Sequence, residues 1–186
     1  MISGNLKPAM IIIITGEKGT GKTTFIMKLS ELLKTAGKTG GILTPAVFSA
    51  GGKKTGFDAL DIASGISWPL GRTEADLGGP VFGPYSFSRE GLDRAAAVFK
   101  SAVEQNYRYL FLDEIGPLEL KKKQGFYPLL QVISGIPDIS HLYLVIRPSL
   151  VDTFIKEILP NRECRIITIT IANRDSRDLL KQACGL

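Results

Sequence analysis

The chain has 186 residues, of which 44% are hydrophobic and 22% charged, and its formal net charge is +5. These values are ordinary for a soluble globular protein with one substantial core. No apolar run approaches the roughly 18 residues that span a membrane, and the first residues lack the charged segment and long apolar stretch of a secretion signal. Cys164 and Cys184 are too few for a disulfide framework and form no metal-binding pair, so we expect a reduced, cytoplasmic protein.

The positive charge suits an anionic ligand and is also compatible with weak nucleic-acid binding. The tight basic clusters are Lys53-Lys54 and Lys121–Lys123, and neither is interleaved with aromatic residues. We therefore interpret both clusters as solvated surface and do not expect a nucleic-acid partner. We interpret the single His141 as structural and not as a metal ligand. Because the sequence contains no repeat, low-complexity tract or convincing linker, we expect a single domain over residues 1–186.

The first predicted elements surround a glycine-rich loop. The apolar, β-branched run Met10–Thr15 predicts a strand. Apolar residues at helical spacing then predict a helix that Gly37 ends. Between strand and helix lies G-x-x-x-x-G-K-T, the pattern of a phosphate-binding loop. The predicted nucleotide-binding residues are Gly16, Glu17, Lys18, Gly19, Thr20, Gly21, Lys22, Thr23 and Thr24.

Each residue type in this loop has a physical role. The glycines allow successive backbone N–H groups to point at phosphate oxygens, and the start of the helix adds partial positive charge. Lys22 can reach the β- and γ-phosphates as a point charge, which makes it a candidate catalytic residue. The hydroxyl of Thr23 is the usual ligand of Mg²⁺ in this pattern. The loop therefore predicts a site for a nucleoside triphosphate with Mg²⁺ as cofactor.

Residues 39–87 are rich in Gly, Pro and short apolar pieces. They predict short strands or hairpin arms at Gly40–Val47, Gly56–Ile62 and Val81–Phe87. A segment of this kind predicts an antiparallel extension or lid near the nucleotide. Ser88 is the predicted N-cap of a helix with Leu92, Ala95, Ala96, Phe99 and Val103 on one face.

The apolar run Tyr109–Leu112 predicts a buried strand that ends at Asp113-Glu114, which has the form of a Walker B element. A carboxylate held rigidly there can bind Mg²⁺ directly or through water, so Asp113 and Thr23 are the predicted metal ligands. Glu114 can polarise a water in line with the γ-phosphate and is a candidate catalytic residue. The competing interpretation of Glu114 is a surface salt-bridge partner.

The remaining predicted elements alternate between helices and strands. They are a helix through Phe126–Ile133, a strand at Leu142–Ile146, a helix that Ser149–Asp152 opens as a capping box and Pro160 ends, a strand at Arg165–Ile171, and a helix over 174–184 capped by Asn173. This alternation predicts a mainly parallel sheet with helices on both faces. Ligands bind at the carboxyl ends of such strands, where Thr15, Asp113 and Arg147 are expected to converge.

An arginine can stabilise negative charge on the transferring phosphoryl group. Arg147 is the best-placed candidate, at the end of a core strand, among Arg72, Arg89, Arg94, Arg147, Arg162 and Arg174. Glutamate directly after the Mg²⁺ aspartate favours hydrolysis, and no clear motif for a phosphate acceptor is present. A small-molecule or nucleotide kinase, and a nucleotide-gated switch with slow hydrolysis, remain alternatives.

Several motifs together resemble the THEP-type family of small nucleoside triphosphatases. They occur in the family's order over nearly the whole chain: the loop Gly16–Thr24, Gly56-Phe57-Asp58, Leu112–Gly116 followed by Leu118-Glu119-Leu120, and Asn173-Arg174. The resemblance implies a RecA-like P-loop domain and slow, Mg²⁺-dependent hydrolysis of ATP, GTP and other nucleoside triphosphates. It also implies that Asn173 and Arg174 lie near the base. No protein partner is indicated.

The sequence departs from the family pattern at two places. Pro117 stands where the family usually has lysine after D-E-I-G. Thr44 is followed by Pro45, Ala46, Val47 and Phe48, where the family often carries acidic residues and an arginine. These departures leave the predicted nucleotide site intact and concern turnover and substrate choice.

Overall fold

The structure is a computed structural model that describes residues 9–136 and 139–185. The expectation about a secretion signal concerns the N-terminus and lies largely outside these residues. In chain order the elements are β1 (Ile11–Thr15), α1 (Lys22–Lys34), β2 (Thr39–Leu43), β3 (Ala46–Phe48), β4 (Lys54–Asp61), β5 (Ser67–Arg72), β6 (Gly78–Phe82), β7 (Tyr85–Ser88), α2 (Arg89–Glu104), β8 (Tyr109–Ile115), α3 (Pro117–Leu120), α4 (Tyr127–Ser134), β9 (His141–Ile146), a 3-10 turn (Pro148–Leu150), α5 (Val151–Ile158), β10 (Cys164–Thr168) and α6 (Arg177–Cys184).

Within the described part of the chain, ten strands form one mixed sheet in the order β10-β1-β9-β8-β2-β4-β5-β7-β6, with β3 paired to β4. The pairs among β10, β1, β9, β8 and β2 are parallel. The pairs from β2 to β4 and onward are antiparallel. Strand β9 lies between β1 and β8. The predicted α/β fold with an antiparallel extension is confirmed.

Alternating side chains of the parallel strands fill two apolar layers. Ile12 and Ile14 of β1 pack on the side of α1 and α6. Ile11 and Ile13 belong to the other layer, with α2, α4 and α5. Successive strand residues face opposite sides, so a continuous apolar run such as β1 is required when both faces are covered. The predicted helices on both faces are therefore confirmed. No helix in residues 9–136 or 139–185 has the length and apolar character needed to cross a membrane.

The extension differs from its predicted outline. The predicted strand at Gly40–Val47 is interrupted between β2 and β3, where Pro45 provides no backbone N–H for pairing. The segment Val81–Phe87, predicted as a short strand or hairpin arm, contains the turn of the β6–β7 hairpin at Gly83, with φ of 58°. Strand β5 was not predicted, because Pro69 and Gly71 interrupt its apolar pattern.

Helix ends are partly as predicted. Ser88 caps α2, and its hydroxyl accepts the N–H of Gly91 at 2.9 Å. The capping box at Ser149–Asp152 is wrong, because the chain forms a 3-10 turn there and α5 begins without a side-chain cap. Asn173 is also wrong as a cap, since Ser176 caps α6. Each predicted helix is present, although α6 begins at Arg177 and not at 174, and the short helix α3 was not predicted.

Strand ends in the second half also differ. Strand β8 continues beyond the predicted end at Asp113 to Ile115. Strand β10 ends at Thr168, before the predicted Ile171. The segment after Thr168 forms turns instead, because Asn173 bonds back to the backbone of Thr168 and Thr170.

Candidate functional site

The glycine-rich loop connects the buried end of β1 to the start of α1. Gly16, Gly19 and Gly21 have φ of 144°, 84° and 95°, which L-residues with side chains rarely adopt. A Cβ on Gly16 would also lie 2.2 Å from the carbonyl oxygen of Ile169. Thr20 stabilises the turn by donating from Oγ1 to the carbonyl of Glu17 at 2.9 Å. The loop is therefore closed by its own bonds and by close contact with the chain after β10.

Lys22 lies inside this loop. Its Nζ donates to the carbonyl oxygens of Gly16 and Glu17 at 2.7 and 2.8 Å. Burial lowers the pKa of Lys22, while the nearby charges of Glu114 and Asp113 act in the opposite direction. The ammonium group is thus a buried cation at the edge of the sheet where the two carboxylates lie. Glu17, Lys18 and Thr24, also predicted here, are exposed.

Asp113 lies on β8 and is 1% exposed. Its Oδ2 accepts the hydroxyl of Thr23 at 2.9 Å, and the N–H and hydroxyl of Thr44, both at 3.2 Å. The structure therefore brings together the two predicted metal ligands. Thr44 was not predicted as a partner, although a polar residue that follows the buried strand β2 indicates the same sheet edge.

The surroundings of Asp113 affect its ionisation. Burial, and secondly the charge of Glu114, raise the pKa of Asp113 to about 6. The hydrogen bonds from Thr23 and Thr44 act in the opposite direction because they favour the carboxylate. A positive charge close to such a carboxyl group stabilises its ionised form.

Glu114 is paired with Arg147, which follows directly after β9. Arg147 donates to Oε1 of Glu114 from Nε at 3.2 Å and from Nη2 at 2.9 Å. The side chain of Glu114 is 33% exposed and that of Arg147 is 43% exposed, so solvent reaches the pair. The peptide bond between Asp113 and Glu114 is cis. Glu114 and Arg147, two of the three candidate catalytic residues, are therefore in direct contact, and the salt bridge of the competing interpretation is also present.

Behind Glu114 lies a third carboxylate. Glu119 is 5% exposed and accepts the N–H of Gly116 at 2.8 Å and the N–H of Phe126 at 3.1 Å. Burial raises the pKa of Glu119 to about 7, although both N–H bonds oppose this. Glu119 thus fixes the backbone that immediately follows Glu114. Apart from the family motif, the sequence indicates this structural role of Glu119 only by placing a glutamate within an apolar segment.

The loop after β10 packs on the glycine-rich loop. Asn173 accepts the N–H of Thr170 at 2.8 Å and donates to the carbonyl of Thr168 at 2.9 Å, so its side chain organises this turn. Arg174 lies across Gly21, with its Cδ 3.0 Å from the position of a Cβ there. Both residues are therefore next to the predicted phosphate site.

The other candidate arginines make contacts elsewhere. Arg72 bonds to Asp58 and to the carbonyl of Phe57 within the extension. Arg94 stacks 4.1 Å from the ring centre of Trp68, and the remaining two donate to backbone carbonyls, Arg89 to Gly78 and Arg162 to Ile136. Arg147 keeps its place as the best-positioned candidate.

The oxygen ligands around Asp113 fit a magnesium ion. A carboxylate and a threonine hydroxyl are hard donors, and Mg²⁺ in phosphate sites takes one or two protein ligands and completes its shell with phosphate and water. No group of three or more His, Cys, Asp or Glu side chains able to hold a metal occurs in the described residues. The arrangement therefore suits an ion that binds together with a phosphate ligand.

Comparison with known proteins identifies the family of this chain. The sequence profile of the family described as NTPase matches residues 11–182. A nucleoside-triphosphatase THEP1 from Methanothermobacter thermautotrophicus is 32% identical over 169 residues, covering 89% of this chain and 90% of that protein. The crystal structure of THEP1 from Aquifex aeolicus superposes with a TM-score of 0.70 at 26% identity, covering 93% of this chain and 96% of that one. The solution structure of a human cancer-related nucleoside triphosphatase gives 0.72 at 27% identity, covering 95% and 96%.

Proposed function

The chain belongs to the NTPase family and is a nucleoside triphosphatase, and from that premise we propose that it hydrolyses ATP, GTP and other nucleoside triphosphates in a Mg²⁺-dependent reaction. The products are the nucleoside diphosphate and phosphate. The observation that carries this proposal is the pairing of Thr23 with Asp113, because it joins the glycine-rich loop to the acidic end of β8.

Binding of the triphosphate rests on the loop. Its backbone N–H groups and Lys22 contact the β- and γ-phosphates, and Thr23 and Asp113 would hold Mg²⁺. When bound, Mg²⁺ supplies positive charge that offsets the charge on the phosphate oxygens. Asn173 and Arg174 lie beside the base in this arrangement. Both residues belong to a short, mostly exposed turn, and a base held at such a turn is compatible with loose base selectivity.

Glu114 orients the attacking water and accepts its proton. Both bonds from Arg147 go to Oε1, and among the described residues no hydrogen bond goes to Oε2. Oε2 is thus available to a water molecule while Arg147 holds the carboxylate in place. Arg147 also brings positive charge to the phosphoryl group as it is transferred.

Phosphate release from ATP, GTP, CTP and UTP, with Mg²⁺ and with EDTA, tests this proposal. We expect release without any added acceptor, which a kinase does not give, and loss of release in EDTA. Equal release in EDTA would contradict the role of Mg²⁺.

Glu114→Gln tests the chemical step. It keeps the shape of the side chain and removes the basic oxygen, so single-turnover hydrolysis should fall about 10²–10⁴-fold. Affinity for the triphosphate should stay nearly unchanged, because the interaction is made mainly in the transition state. Glu157→Gln, an exposed change on α5, is the matched control. Wild-type turnover in Glu114→Gln would remove Glu114 from the mechanism and leave the salt bridge as its role.

The cellular location is part of the proposal. Cys164 and Cys184 are free thiols in the structure. Two unpaired thiols in one chain are typical of a reducing compartment. We therefore propose a cytoplasmic protein.

A further inference from the structure

Strand β4 extends past the edge of the parallel sheet where the nucleotide site lies. It pairs antiparallel with β2, with Leu60 opposite Leu43, the last residue of β2. From that pair back to Lys54, the first residue of β4, the strand runs beyond the carboxyl end of β2. At about 3.3 Å per residue, this overhang is about 20 Å long. The start of β4 therefore extends beyond the edge of the sheet at which Thr23 and Asp113 meet.

The overhang is fixed to the metal-binding edge. The N–H of Asp58 donates to the carbonyl of Pro45 at 3.0 Å. Pro45 directly follows Thr44, which bonds twice to Asp113. The position of β4 is thus linked through two residues to the carboxylate that is expected to hold Mg²⁺.

Lys54 is seated on an aromatic shelf formed by Phe57, Tyr85 and Phe87. Its Nζ lies 5.3 Å from the ring centre of Phe57 and 5.9 Å from that of Tyr85. The rings of Phe57 and Tyr85 are 5.1 Å apart, and those of Phe57 and Phe87 are 5.3 Å apart. The shelf holds the side chain in one direction and reduces the entropy that a flexible lysine loses on binding a ligand.

The ammonium group of Lys54 has no anionic partner in direct contact. Within residues 9–136 and 139–185 it makes no hydrogen bond or ion pair beyond its contacts with the rings. Burial lowers the pKa of Lys54, and the charges of Glu114, Lys18, Asp113 and Arg147 also act on it. Those four residues all belong to the glycine-rich loop or to the catalytic edge.

We propose that Lys54 is a substrate-contacting residue, which the antiparallel extension supplies to the terminal phosphate of the bound nucleoside triphosphate. This inference rests on the proposed function, because it requires a phosphate chain in the loop. An ammonium group with three free donors is suited to a terminal phosphate, which carries the most charge and the most exposed oxygens. Lys54 thus differs from Lys53, which we still interpret as part of the solvated surface.

Such a contact distinguishes triphosphate from diphosphate. The loop and Lys22 also contact the β-phosphate, which both nucleotides have. Lys54 would contact an oxygen of the γ-phosphate, which only the triphosphate has. Lys54 would therefore favour substrate over product and assist product release.

The test is Lys54→Met, which keeps the apolar stem on the shelf and removes the charge. Affinity for a non-hydrolysable triphosphate and for the diphosphate is measured by calorimetry, together with single-turnover hydrolysis. We expect triphosphate affinity or turnover to fall about 10- to 100-fold, as for loss of a charge-assisted hydrogen bond, with diphosphate affinity unchanged. Lys54→Arg should restore part of the loss, and Lys53→Met is the matched control.

Two results would overturn the proposal: no change in Lys54→Met, or an equal loss of affinity for both nucleotides, which indicates a role in the shape of the extension. Lys22→Ala separates this failure from a failure of the proposed function. If Lys22→Ala loses nucleotide binding and Lys54→Met does not, only the role of Lys54 is wrong. If neither variant loses binding, the phosphate site itself is wrong.

Discussion

Replacement of Glu119 by glutamine should change how the stability of the protein depends on pH. Glu119 is buried behind the catalytic edge, and its two oxygens accept the N–H groups of Gly116 and Phe126. The pKa of this carboxyl rises from 4.5 to about 7 in the folded protein, first because of burial. Glutamine keeps the shape and cannot ionise, so it removes the effect of this one group.

The direction follows from proton linkage. The folded state binds the proton of Glu119 more tightly than the unfolded state, so this contribution to stability is complete below about pH 4.5 and is lost as pH rises through about 7. An increase in pKa from 4.5 to about 7 corresponds to about 3 kcal/mol at most. Glutamine has only one acceptor oxygen for two N–H groups and should itself cost about 1–3 kcal/mol. The wild-type advantage over the variant is therefore largest in acid and shrinks toward neutral pH.

Urea unfolding at several values between pH 4 and pH 8.5, followed by fluorescence of Trp68, measures this difference. Trp68 is the single tryptophan of the chain and is buried against α2, where it bonds to the carbonyl of Gly91. Glu104→Gln, an exposed change at the end of α2, is the control and should leave the pH profile as in the wild type. A difference between wild type and Glu119→Gln that stays constant across this pH range would refute the reasoning.

Two further predictions concern the loop and the sheet. Lys22→Ala should weaken triphosphate binding by about 1.5–3 kcal/mol, because it removes a charge-assisted contact. Calorimetry measures this loss, with Lys100→Ala at an exposed position as the control. Equal affinities of the two variants for the triphosphate would contradict the site. Gly41→Ala should destabilise the fold by about 3 kcal/mol or more, since its Cβ would lie 2.0 Å from the carbonyl oxygen of Phe111 at a φ of 111°. Thermal unfolding measures the second effect beside Gly51→Ala, where a Cβ would lie 3.9 Å from Oγ of Ser49, an ordinary contact distance. Similar melting temperatures of the two variants would show that the sheet tolerates a Cβ at position 41.

The parts of the fold that sequence predicts well are those with local patterns. β1, the glycine-rich loop and α1 form one continuous segment in which periodicity, glycines and Lys22 all indicate the same structure. The end of β8 is recognisable for the same reason, because an apolar run leads directly to Asp113-Glu114. Where local and tertiary preferences agree, the sequence is sufficient.

Other features of the site depend on contacts between residues that are distant in the chain, and local sequence does not identify the partners. The bonds of Thr44 to Asp113 join the residue after β2 to β8, and the sequence around Thr44 indicates the sheet edge but not this partner. Lys54 resembles any surface lysine until the direction of β4 is known. The prediction of Asn173 as a helix cap failed because two polar residues compete there, and the side chain of Asn173 bonds to its own turn while Ser176 caps the helix.

The position of β1 in the sheet has a consequence for synthesis of the chain on the ribosome. β1 is made before its pairing partners, β9 and β10, which come from residues 141–168. Until those residues emerge, the four isoleucines of Ile11–Ile14 belong to a segment whose two neighbours do not yet exist, and such segments favour association between nascent chains. The contact between Gly16 and the chain after β10 likewise forms only once β10 has been made. We therefore expect the nucleotide site to form only after β10 has been made, and a chain that lacks β10 to bind nucleotide weakly and to aggregate more readily.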